Sequence, residues 1–103
     1  MDINDFKTKL ARLSSEFGNL PGHIPRDKTT AFFHLSEEIG EVGEQLRHEI
    51  QNSPSFSKEK LGSELADVIS FATIIAHYFN INVSQALQEN LDKVQSLINK
   101  EKP

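Results

Sequence analysis

The chain has no cysteine and no tryptophan, and only one methionine and one tyrosine among 103 residues. Without thiols it forms neither disulfides nor thiolate metal sites, which is compatible with a reducing compartment and leaves oxygen and imidazole as metal ligands. No run approaches the roughly 18 apolar residues of a membrane span. The opening Met1-Asp2-Ile3-Asn4-Asp5 lacks the basic-then-apolar order of a secretion signal. A soluble, cytoplasmic protein is expected. Basic clusters are scarce too: 11 Lys and Arg stand against 15 Asp and Glu, a net charge of −4, which argues against a protein that grips a nucleic-acid backbone. No internal repeat or glycine-rich phosphate loop occurs. At this length one hydrophobic core is feasible and two are not, so a single domain over residues 1–103 is expected.

What the chain does have is acid in its middle. Residues 37–67 carry eight of the 15 carboxylates against only Arg47, Lys58 and Lys60. Four of them, Glu37, Glu38, Glu41 and Glu44, fall within eight residues of an apolar-striped segment. On a helix Glu38 and Glu37 both neighbour Glu41, and each like-charge pair costs roughly 0.2–0.5 kcal/mol. A cation would turn that cost into a site; taken alone, such a run is more often a solvated acidic face.

Four helices are predicted. The first has Asp2 or Asn4 as its cap, an apolar stripe of Phe6, Leu10, Leu13 and Phe17, and its end at Gly18-Asn19. A long loop from Gly18 to Lys28 follows, with His23, Arg26 and Lys28 as surface charge or as phosphate contacts. The second helix runs from Thr29 or Thr30 to Ile50, and Phe32, Leu35, Ile39, Val42, Leu46 and Ile50 form its packing seam. Gly40 and Gly43 interrupt it and suggest close approach by another backbone or a ligand. After the Asn52–Ser57 linker the third helix spans Lys58 to Phe79, capped by Ser57; it is apolar nearly all round, and a second copy of the chain is expected to cover part of it. Asn80-Ile81-Asn82 ends it. Asn82 with Gln85 reads as a capping-box variant opening a fourth helix along Val83, Leu87, Leu91, Val94 and Ile98. The expected fold is all-α, a four-helix bundle-like domain of antiparallel helices completed by homo-oligomerisation.

The third helix carries a second acidic pair. Glu64 and Asp67 repeat the three-residue spacing of Glu38 and Glu41, and a short linker makes the two helices an antiparallel hairpin. Counted from the turn near residue 54, Glu41 and Asp67 are each 13 residues away, so the pairs lie at similar heights. An unpaired carboxylate at Asp67, flanked by Ala66, Val68 and Ile69, would be expensive if buried. Four converging carboxylates without histidine or cysteine select a hard divalent cation, Mg²⁺ or Mn²⁺. A ferritin-like di-iron site is excluded, because the Glu-x-x-His pairs it needs are missing.

Glu38-Ile39-Gly40-Glu41 and Glu64-Leu65-Ala66-Asp67, as ExxE and ExxD pairs on successive helices, resemble the MazG-type all-α nucleoside triphosphate pyrophosphohydrolases. Glu37 and the following Val42-Gly43-Glu44-Gln45-Leu46 fit that pattern, and the resemblance extends over about Lys28 to Leu97. It implies a hydrolase with Glu38, Glu41, Glu64 and Asp67 as ligands to Mg²⁺, for which Mn²⁺ can substitute. Glu37 then belongs to the catalytic group with Glu38 and Glu41, in the outer shell or orienting water. The implied reaction splits a (deoxy)nucleoside triphosphate at the α–β linkage into monophosphate and pyrophosphate, as house-cleaning of nucleotide pools. Lys28, Phe33, His34, Phe71 and Lys93 are candidate substrate contacts, although an aromatic at helical spacing is more often core. The chain departs from the pattern at Val94, where the family often has asparagine, and at Phe71, where it often has tyrosine. Phosphoribosyl-ATP hydrolysis and a non-enzymatic acidic interaction module are the alternatives. The expected partners are the nucleotide and further copies of the chain, as a homodimer or homotetramer, with neither nucleic acid nor membrane.

Overall fold

A computed structural model describes residues 1–23 and 27–103. Four helices, α1 (Ile3–Gly18), α2 (Lys28–Ile50), α3 (Lys58–Tyr78) and α4 (Val83–Glu101), make up the fold, with no strand among the described residues. Each helix opens on a side-chain cap, because its first amide groups have no partner within the helix. Asp2 accepts from Asn4 and Asp5, Ser57 from Lys60, and Asn82 from Gln85. Asp27 and Thr30 form a reciprocal capping box, so α2 begins at Lys28, slightly earlier than its sequence pattern predicts. At α4 only half of the expected box exists, since the Gln85 side chain donates to Glu89 instead. Arg26 lies outside the described residues.

Asparagine terminates both helices of the central hairpin. Asn52 and Asn80 adopt φ of 51° and 55°, the left-handed region that asparagine tolerates better than most residues. Their amides bond to Glu49 and His77, while Ser53 and Ile81 reach back to His48 and Ala76. This is the Schellman arrangement at each end, and it satisfies carbonyls that the helix leaves open.

Helices α2 and α3 pack antiparallel, α1 lies along α3, and α4 leaves the hairpin to contact chiefly α1. The α1–α4 junction is polar. Asn4 donates to Asn82 (2.9 Å) and accepts from the Val83 amide (2.9 Å), and Lys7 donates to the Ile81 carbonyl. Asn4 is therefore a tie between helices, while Asp2 caps α1. The four helices do not close into one bundle within a single chain. The radius of gyration is 17.1 Å, against about 13 Å for a compact chain of this size.

Among the described residues the buried hydrophobic side chains are only Ala31, Ile74 and Ala76. The expected α2 seam is mostly uncovered: Leu35 and Val42 are half-buried, whereas Phe32, Ile39, Leu46 and Ile50 are exposed. The reason is that α2 turns a different row toward α3, consisting of Ala31, Leu35, Glu38, Val42 and Gln45. Burial of α3 is likewise incomplete, with Leu65 and Ile69 exposed. Asp67 is exposed too, so the desolvation argument made for it belongs to Glu64, which is 5 % exposed.

Gly40 and Gly43 are not close-approach points within the chain, because a Cβ at either would meet nothing within 4 Å. Gly40→Ala is therefore expected to stabilise the protein by about 0.5–1 kcal/mol through helix propensity. In a domain of this length that is a rise of about 4–8 °C per kcal/mol in the thermal midpoint followed by circular dichroism; a lower midpoint would show that something does press on this position.

Candidate functional site

The site is built where α2 and α3 face each other. His34 on α2 stacks on Phe71 of α3, ring centroids 5.1 Å apart and planes 19° from parallel. One turn further along each helix come Glu38 and Asp67, and three residues beyond those, Glu41 and Glu64. The register thus sets Glu38 level with Asp67 and Glu41 level with Glu64, a shift of about one turn from heights counted from the linker. At the far ends of the hairpin Lys28 lies over the Phe79 ring (5.3 Å), and the Gln45 side chain accepts from the Ser57 amide (3.0 Å).

Among the described residues no ion pair joins Glu38, Glu41, Glu64 or Asp67 to a basic group. One buried oxygen of Glu38 and one of Glu64 have no hydrogen-bond partner. Burial, then a hydrogen bond shared with Glu41, then the negative charges of Glu41, Asp67 and Glu64 push the Glu38 carboxyl up to about 7. A carboxylate so raised is one whose ionised form lacks compensation. Oxygen-only donors with unpartnered buried lone pairs fit a hard divalent cation. As they stand, no three carboxylate or imidazole groups among the described residues are gathered into a ready ligand cage. Like charges without a counter-ion disfavour such a gathering.

The other members of the acidic run separate from this group. Glu44 is engaged on its own helix by Arg47 and by His48 (3.3 Å), and Arg47 draws its pKa down. Glu37 is exposed, 3.7 Å from His34 Nδ1. Phe33 is exposed four residues before Glu37, its nearest ring partner being Phe32 at 6.1 Å.

Two expected substrate contacts are not brought to the carboxylates. Lys28 is held over Phe79, about 15 Å from Glu38 along α2 at 1.5 Å per residue. Lys93 belongs to the exposed stretch of α4, whose main neighbour is α1. One residue escaped the sequence reading. Gln45 is 2 % exposed and lines a cleft with Glu41, Glu44, His48, Lys60 and Glu64. It lies seven residues after Glu38, hence on the same helical face, and that spacing was the available signal.

No curated protein and no solved structure matches the chain. The family description "MazG nucleotide pyrophosphohydrolase domain" does match, over residues 26–99, which contain both carboxylate pairs and the hairpin that joins them. With most of its length covered by that match, the chain belongs to the MazG nucleotide pyrophosphohydrolase family.

Proposed function

We propose that this hydrolase cleaves the α–β phosphoanhydride of (deoxy)nucleoside triphosphates, with Mg²⁺ held by Glu38, Glu41, Glu64 and Asp67. The observation that carries the reading is the pair of buried, unpartnered oxygens on Glu38 and Glu64 amid uncompensated charge. A polyphosphate cannot approach such a group unless its charge is inverted. Bound divalent ions supply that inversion, acidify water and stabilise charge on the departing pyrophosphate.

The side chains have separate parts in this proposal. Glu37, free of α3 and adjacent to Glu38, receives the proton of the attacking water. His34 and Phe71, already stacked, offer a flat edge to the nucleotide one turn from the carboxylates. Gln45 anchors the start of α3 through the Ser57 amide and so fixes the height of Glu64. The working form is a cytoplasmic homo-oligomer, since one chain leaves most of its large apolar side chains exposed.

Product analysis tests the reaction. Incubation with a panel of nucleotides and Mg²⁺ is expected to give monophosphate and pyrophosphate in equal amounts from at least one of them. Release of orthophosphate, or no product from any nucleotide, would overturn the proposal.

A further inference from the structure

The Gln45 side chain is 2 % exposed, and hydrogen bonding alone decides which way its amide faces. The Ser57 backbone N–H can only donate, so the Gln45 atom 3.0 Å from it is the side-chain oxygen. Turning the amide over would set N–H against N–H. The oxygen is therefore committed, and the NH₂ group is the end left for a ligand. No acceptor among the described residues takes that group, and the unpartnered oxygen of Glu64 is not one. A nearly buried donor in this condition is costly unless something else accepts from it.

Gln45 lines a cleft of about 250 Å³ together with Glu41 and Glu64 from the two acidic pairs, Glu44 and His48 from α2, and Ser55 and Lys60. Gln45 is one turn past Glu41, and Lys60 is one turn before Glu64. The cleft thus lies on the linker side of the carboxylates, away from His34 and Phe71. It is smaller than the roughly 300–1,000 Å³ of pockets that enclose a whole drug-sized ligand, so it takes one part of a nucleotide. Charge indicates which part. Three carboxylates line it against Lys60 and His48, and His48 is already 3.3 Å from Glu44. A further phosphate group finds little compensation there. A neutral ring carrying an acceptor oxygen meets the amide donor without that Coulombic cost.

We propose that Gln45 reads the nucleobase, donating its NH₂ group to an exocyclic oxygen. It thereby favours bases of the uracil and hypoxanthine type, which carry an oxo group, over those of the cytosine and adenine type, which carry an amino group in its place. An amide free to rotate serves an oxo or an amino group equally well by turning over. Gln45 cannot turn over, because Ser57 holds its oxygen. An amino base would set N–H against N–H where water is largely shut out, and a site built for one hydrogen-bonding pattern rejects the other. The inference rests on the proposed reaction only in placing the triphosphate at the carboxylates. The His34–Phe71 pair is left to the rest of the nucleotide.

Calorimetric titration in Mg²⁺ with the uncleavable α,β-methylene analogues of UTP, CTP, ITP and ATP tests it. The wild type is expected to bind the UTP and ITP analogues roughly tenfold or more tighter than the CTP and ATP analogues. Gln45→Glu keeps an acceptor for the Ser57 amide and removes the donor, so it should erase or reverse that ratio. Gln45→Met removes both, and should erase the ratio and also lower the melting temperature. Equal affinities within each pair in the wild type, or a ratio that survives both substitutions, would overturn the proposal. Weaker binding of all four analogues by the variants with the ratio intact would mean that the amide serves phosphates, and would overturn it too. If neither variant folds, the wild-type ratio alone decides. The reaction is separable from this test. An oxo preference in binding, without monophosphate and pyrophosphate from UTP or ITP, would remove the reaction and leave the role of Gln45 standing; hydrolysis with no preference would do the reverse.

Discussion

Glu64→Gln is expected to lower turnover at least about 100-fold while leaving the protein folded, and in metal-free buffer no less stable than the wild type. Glu64 is the most deeply buried of the four carboxylates at 5 % exposure, and one of its oxygens has no partner. A buried ion in that condition costs free energy that the fold recovers only if a cation supplies it. Glutamine keeps the shape and removes the charge, so the apo protein loses a repulsion with Glu38 rather than a contact. The reaction loses a ligand to a hard cation, an interaction worth several kcal/mol in the transition state, at tenfold in rate per 1.36 kcal/mol.

Glu44→Gln is the matched control. It is as acidic in sequence and lies three residues after Glu41, but its charge is answered by Arg47 and His48 on the same helix. Exposed pairs of this kind contribute little, so turnover should stay within about threefold of the wild type. The comparison is read from initial rates and thermal melts of the two variants in parallel. Equal losses in both would mean that general acidity of the region matters and the ExxE–ExxD geometry does not.

That contrast between Glu64 and Glu44 also shows what was legible in the chain and what was not. Helix number, the caps Asp2, Ser57 and Asn82, and the pairing of α2 with α3 follow from local chemistry, because caps and periodicity are properties of short segments. The face that α2 presents to α3 does not follow. Its apolar row implies one seam, yet the contact row carries Glu38 and Gln45. An apolar stripe records what is dry in the finished assembly, and within one chain the dry surface and the α2–α3 contact are different faces. Glu38 and Glu64 were readable as a site by spacing, whereas the burial of Gln45 depends on the register of two helices, which only the Asn52 and Ser57 geometry sets. Val94 and Lys93 were read against a pattern in which the last helix meets the site, and α4 departs from the hairpin instead.

The stability of the apo protein should fall as pH rises from about 5 to 7.5, and saturating Mg²⁺ should reverse the sign of that dependence. Glu38 has a folded-state pKa of about 7 against an ordinary value of 4.5, raised first by burial, then by the bond with Glu41, then by the charges of Glu41, Asp67 and Glu64. Between those values the folded chain holds a proton that the unfolded chain has lost. Stability from this group is therefore complete below pH 4.5 and is lost as pH climbs through 7. Screening at the half-open rim limits the loss to the order of 1 kcal/mol, about 4–8 °C in the melting temperature of a domain this size. Metal binding needs the carboxylates ionised, so at pH 5 the ion must compete with the proton on Glu38, and at pH 7.5 it need not. At 100 times its dissociation constant a ligand adds about 2.7 kcal/mol to the folded state, more than the proton contributed. Melting temperatures plotted across this range, at constant protein concentration with either EDTA or millimolar Mg²⁺, should therefore lie close together near pH 5 and diverge toward pH 7.5. Parallel curves with no displacement between them would mean that the ion does not reach these carboxylates, whatever the activity of the protein.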